Sequence, residues 1–231
     1  MSVPVLKNTN VRNESFAGVT YHVQGELVPV LQIELGQMPV FFEHHVLLWK
    51  NPQVAVGMKS VSGSLKRMVA GMPVFMTVAK GPGTIAFSRD GAGQVFGVHL
   101  ESGDELDVRE HQFLAATDNL EYGFSRVKGV SNLLFGGSGF FIDSFRARSA
   151  PGIVWLHGYG NVFEVSLEAG ESIDVEPSAW IYKDPAVKME TKMQRFTAGL
   201  LGANGQLVVN RFTGPGRLGI QSMSLYMPEK K

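Results

Sequence analysis

The chain has 231 residues, of which 44% are hydrophobic, with 21 basic and 21 acidic side chains and no cysteine. That length and apolar content suffice for a substantial buried core, while the balanced charge removes the electrostatic argument for strong nucleic-acid or anionic-membrane binding. The missing thiols exclude disulfides, thiolate metal sites and a cysteine nucleophile, and no apolar run approaches the roughly 18 residues of a membrane-spanning helix. A soluble, cytoplasmic protein is expected.

In chain order, Val19-Thr-Tyr-His-Val23 reads as a strand, and Val30-Leu-Gln-Ile-Glu-Leu-Gly36 follows it. That second segment returns as Val95-Phe-Gly-Val-His-Leu-Glu-Ser-Gly103 and as Val162-Phe-Glu-Val-Ser-Leu-Glu-Ala-Gly170, about sixty-six residues apart when aligned on Leu35, Leu100 and Leu167. Strands are expected next at Pro39 to Phe42, Val46 to Trp49 and Val54 to Met58. The continuous apolar run at Pro39 to Phe42 predicts burial on both faces or a contact with another subunit. Val74 to Val78 and Thr84 to Phe87 flank Pro82-Gly83, a pair suited to a type II turn.

The second copy continues with Leu106 to Arg109, alternating apolar and charged, then Phe113 to Ala116, Leu120 to Phe124 and Gly139 to Asp143. Pro151-Gly152 leads into Ile153 to Leu156. The third copy has Ile173 to Glu176, Trp180 to Tyr182, Val187 to Thr191 and Gln206 to Asn210, with Pro215-Gly216 before Arg217 to Ile220. Helical signal is confined to short turns at Ser64 to Val69 and Gly129 to Leu134. No Pro/Ser-rich linker separates the copies. The expectation is an all-β single compact body over 1–231, with approximate repeats at 19–84, 85–152 and 153–221, a short C-terminal tail and pseudo-threefold symmetry. Exposed strands in such units call for pairing between units or between chains.

Leu134-Phe-Gly-Gly-Ser-Gly-Phe-Phe-Ile142, Ala150-Pro-Gly-Ile-Val-Trp-Leu156, Leu65-Lys-Arg-Met-Val-Ala-Gly71 and Val187-Lys-Met-Glu-Thr-Lys192 resemble the altered-inheritance-of-mitochondria protein twenty-four family, formerly a domain of unknown function. The resemblance runs from about Val23 to Gln221. It implies three TRAP-like units, short relatives of the double-stranded β-helix, with the jelly-roll-like fold of the trp RNA-binding attenuation protein and ring-like oligomers. No catalytic residues come with it. The family pattern has glutamate after the glycines matching Gly71 and Gly137, where this chain has Met72 and Ser138, so no role of those glutamates transfers.

The double-stranded β-helix relation makes a metal site of the cupin type the sharpest enzymatic reading. Counting from Gly36, Gly103 and Gly170, the two histidine positions hold Phe42 and His44, Arg109 and His111, and Glu176 and Ser178. No copy keeps the His-x-His pair, which leaves His44 and His111 as the only metal candidates and no cofactor as the expectation. Gly136-Gly-Ser-Gly139 lacks both the Walker lysine and the Rossmann spacing and reads as a turn. Glu101, Asp104, Glu105 and Asp107 read as a turn and the solvated face of a strand. A basic rim of Lys66, Arg67, Arg146, Arg148, Arg211 and Arg217, with Phe145 or Phe212 for stacking, is the RNA-binding alternative. The aromatic residues Phe41, Phe42, Trp49, Phe113, Trp155 and Trp180 are expected in the core or between subunits. The function this supports is a non-enzymatic scaffold or binding protein that self-associates, as a trimer, with its ligand unspecified.

Overall fold

A computed structural model describes residues 2–60, 75–127, 140–198 and 203–223. The two helical turns expected from the sequence, the Gly136 to Gly139 segment, Met72, Lys66 and Arg67 lie outside the described residues. Among the described residues all regular structure is β except one 3-10 turn at His44–Val46. Strands β1 (Val5–Leu6), β2 (Glu14–Phe16) and β3 (Val19–Gln24) lead into three sets of six. The first set is β4 (Val30–Leu35), β5 (Val40–Phe42), β6 (Leu47–Lys50), β7 (Ala55–Ser60), β8 (Phe75–Lys80) and β9 (Gly83–Phe87). The second is β10 (Gly93–Leu100), β11 (Glu105–Arg109), β12 (Phe113–Thr117), β13 (Glu121–Val127), β14 (Phe140–Arg146) and β15 (Gly152–Tyr159). The third is β16 (Val162–Leu167), β17 (Ser172–Val175), β18 (Trp180–Lys183), β19 (Lys188–Ala198), β20 (Ala203–Thr213) and β21 (Gly216–Gln221).

Each set pairs in the same antiparallel way. The first strand pairs with the sixth and the sixth with the third, giving β4-β9-β6, β10-β15-β12 and β16-β21-β18. The second pairs with the fifth and the fifth with the fourth, giving β5-β8-β7, β11-β14-β13 and β17-β20-β19. Two pairings then cross from one set to the next: β12 pairs with β5, and β18 with β11. The result is a six-stranded sheet built from the first and second sets and a seven-stranded sheet built from the second and third, with β1 on its edge beside β16. The five-stranded sheet β2-β3-β4-β9-β6 stands at one end and the three-stranded sheet β17-β20-β19 at the other.

The core follows from this sharing. One cluster, around Ile33, Phe42, Phe87 and Trp155, joins residues of the five- and six-stranded sheets. A second, around Phe41, Phe96, Phe113 and Tyr182, joins the six- and seven-stranded sheets. The third, around Val165, Trp180 and Phe212, joins the seven- and three-stranded sheets. The six-stranded sheet therefore has core on both faces, and β5, β12 and β15 are buried at every residue. The continuous apolar run at Val40 to Phe42 thus reflects double burial, with Phe41 in one cluster and Val40 and Phe42 in another.

Three details differ from the sequence reading. The peptide bonds before Pro82 and Pro215 are cis, and of the three Pro-Gly glycines Gly83 and Gly216 carry a positive φ while Gly152 does not, so the three turns are not alike. A side chain at Gly81 would meet the Leu35 carbonyl oxygen at 2.5 Å, and one at Gly214 the Glu168 carbonyl oxygen at 2.4 Å. Ala150, which has a Cβ, stands at that place in the second set. The segment ahead of β6 forms the 3-10 turn rather than continuing the strand. Strands β1 and β2 were not anticipated.

Candidate functional site

The third strand of each set carries one extra residue opposite the sixth strand: Leu48 in β6, Leu114 in β12 and Ile181 in β18. These bulges set the three strands in register, so Trp49, Ala115 and Tyr182 are equivalent, as are Lys50, Ala116 and Lys183. Opposite the first three stand Ala86, Trp155 and Gly219. Each pair thus holds one aromatic and one small residue. At Gly219 the Tyr182 ring lies so close that an added Cβ would meet it at 2.2 Å. Trp155 and Tyr182 are fully buried, and Tyr182 also donates a hydrogen bond to Glu164. Burial and the Glu164 charge both push the Tyr182 hydroxyl well above its ordinary pKa.

Towards the end of each sixth strand, six positions after the Pro of its Pro-Gly pair, comes a buried polar residue: Ser88 just past β9, His157 within β15 and Gln221 at the end of β21. Their backbone N–H groups donate to the carbonyls of Val46, Gln112 and Ala179. The Ser88 hydroxyl donates to Pro29 O at 3.0 Å, and Gln221 Nε2 donates to Ser178 O at 2.9 Å. His157 Nε2 faces Gly91 O at 3.2 Å, which makes it the protonated nitrogen and leaves Nδ1 an acceptor. Buried beside it, Arg89 donates from Nη1 to Phe113 O at 2.9 Å and lies 3.4 Å from Glu43. Burial, reinforced by the Arg89 charge, lowers the His157 pKa to about 4.

His157 Nδ1, Gln112 Oε1 and Arg89 Nε are buried without a protein partner. Buried polar atoms of this kind are ordinarily satisfied by ordered water. A histidine held neutral there is a hydrogen-bonding group at physiological pH, not a proton donor. Sequence reasoning missed these residues, although the shared offset from Pro-Gly to Ser88, His157 and Gln221 was legible.

The residues singled out from the sequence are spread over several places. His45, rather than His44, is level with His111, each two residues ahead of its strand, because the path from Gly36 into β5 is one residue longer than its counterparts. The rings of His44 and His45 are 5.7 Å apart, and His45 lies 3.3 Å from Glu43. His111 has φ 69°, and burial, then the Arg89 charge, lowers its pKa. Among the described residues no three His, Asp or Glu side chains converge as a metal cage requires. Arg146 pairs with Glu105 at 2.5 Å, Arg148 with Glu121 at 2.6 Å, Arg211 with Asp174 at 2.7 Å and Arg217 with Asp184 at 3.0 Å. Each of these cations therefore faces a carboxylate. Of the acids near Gly103, Asp104 accepts from the Glu101 N–H and Asp107 pairs with Lys183. Phe145 and Phe212 are fully buried, which removes them as stacking platforms. No helix of the described residues is long and apolar enough to cross a membrane.

Shared antiparallel sheets, three stacked cores and one pairing scheme used in each set define an all-β protein with a serial sandwich architecture. A crystal structure of a Streptococcus pyogenes protein has this fold: its TM-score is 0.64 at 20% identity, over 89% of this chain and 94% of that one. An uncharacterized protein of Streptococcus pyogenes serotype M6 is 25% identical over 198 residues, 84% of this chain and 77% of its own. The chain belongs to the AIM24 family, whose model, described as mitochondrial biogenesis AIM24, matches residues 21–223.

Proposed function

We propose that the protein is a non-enzymatic β scaffold or binding protein of three TRAP-like units, soluble and cytoplasmic, that works as a ring-like homo-oligomer, a trimer, through its surface or a central cavity. The observation that carries this reading is the unfinished end of the sheet series. In the second and third sets the residues at the bulge and just after it are buried, whereas their counterparts in β6, Leu48 and Trp49, are 50% and 47% exposed. Apolar side chains at an open strand edge favour association with a further strand. Sedimentation velocity at micromolar concentration is expected to show an assembled species, and a stable monomer would overturn the reading.

A further inference from the structure

We infer that copies of this chain join head to tail by pairing β6 of one copy with β17 of the next, in the register that the chain already uses twice internally. The inference rests on the assembly proposed above and names its interface. Inside the chain, the third strand of a set pairs with the second strand of the set before it, as in β12 with β5 and β18 with β11. The same rule leaves two strands over. β6 is a third strand with no preceding set, and β17 is a second strand with no following one. Among the described residues neither has a partner on its outer side. The two edges are thus the two halves of a junction made twice elsewhere.

Charge fits the same register. At the junction of β18 with β11, Tyr182 stands opposite Val108 and Lys183 opposite Asp107, with Lys183 Nζ 2.6 Å from the carboxylate. Trp49 and Lys50 are the counterparts of Tyr182 and Lys183 through the bulges. Val175 and Asp174 are the counterparts of Val108 and Asp107 through their pairing with β20 and β14 and their distance from Gly170 and Gly103. Laying β6 on β17 therefore sets Lys50 opposite Asp174 and Trp49 opposite Val175. Among the described residues Lys50 hydrogen-bonds the Asn51 carbonyl alone, at 3.4 Å, and Asp174 meets the solvent-facing Arg211. Trp49 then lies beside a paired strand, as Tyr182 does where β18 meets β11.

A junction of two different edges is heterologous, so it propagates until rotation brings the last copy back to the first. It is also a main-chain ladder, with specificity set by the side chains at alternate positions.

The test exchanges the charges. K50D and D174K each put like charges opposite one another and are expected to weaken self-association on the order of 100-fold or more, leaving monomers at micromolar concentration. The double variant K50D/D174K restores opposite charges at every junction and is expected to recover the wild-type sedimentation pattern. The two single variants cannot alternate around a ring of three, so their equimolar mixture is expected to associate through matched junctions into heterodimers without recovering the closed trimer. Association on mixing also excludes misfolding as the cause of the loss. Because Trp155 and Trp180 are buried, acrylamide quenching reports Trp49, which is expected to become protected as wild type assembles. Single variants that sediment like an assembled wild type, or a mixture that stays monomeric, overturn this interface. A wild type that is itself monomeric overturns the assembly reading beneath it.

Discussion

Tyr182 and Trp49 occupy the same place in their strands, one residue beyond the bulge, and meet opposite environments. Around Tyr182 the sheet continues into β11, core lies against the ring, and Lys183 is matched with Asp107. Around Trp49 the sheet stops, the indole is about half exposed and Lys50 is only partly buried. Similar local sequences thus have different energetic worth according to whether a neighbouring set is present. Stability in this molecule resides at the junctions as much as within each set.

That contrast can be broken by paired substitutions. The largest effect is expected at the buried aromatics: Trp155→Ala removes a fully buried indole and costs about 3–5 kcal/mol of unfolding free energy. Trp49→Ala in dilute, monomeric protein costs less than about 1 kcal/mol, because roughly half of that side chain is already hydrated. Urea denaturation of both variants measures the difference, and equal losses would show that the end of the sheet series is packed like its middle. Next comes the ion pair. Lys183→Ala strands Asp107 at a largely buried junction and costs about 3 kcal/mol, whereas Lys50→Ala in the monomer stays within about 0.5 kcal/mol of wild type.

A pH titration sharpens the comparison at the polar end of β15. His157 is held near 4 in the folded chain against an ordinary value of about 6.5. Above that ordinary value both states are neutral. As pH falls below it the unfolded chain takes up a proton that the folded one refuses, so stability declines down to about pH 4 and then levels. By pH 5 the loss is about 2 kcal/mol, and a His157→Gln variant is expected to show a correspondingly flatter profile between pH 7 and 5. The smallest effect is expected at Gly57 of β7, where an added Cβ meets nothing within 4 Å and φ is not positive. Gly57→Ala is expected to change the thermal midpoint by no more than a few degrees in either direction.

Much of the strand order was legible because each strand carries its own signal, such as the alternation of Leu106 and Val108 with Asp107 and Arg109. The double burial of β5 was legible too, since Val40, Phe41 and Phe42 leave no polar face. The sharing of sheets was not. Nothing local in Ala115 or Ala116 says that they pair with Phe42 and Phe41 across some seventy residues of chain. Strands β1 and β2 escaped notice because they are short and neither buries a full residue, being held by docking onto β16 and β3. Arg89, Gln112 and His157 escaped for a related reason. They come from different strands and loops, and only the folded chain makes them neighbours.

The pairing of one aromatic with one small residue at each bulge carries a further consequence for folding fidelity. Three sets with the same pattern are at risk of taking one another's partners, the characteristic misassembly of repetitive chains. Here volume works as an address. Trp155 needs Ala115 opposite, and Tyr182 needs Gly219, so exchanging the two strands would drive an indole against a phenol ring at one junction and leave a void at the other. The second set, with its aromatic residue on the sixth strand, is thereby set apart from its two neighbours, which carry theirs on the third strand.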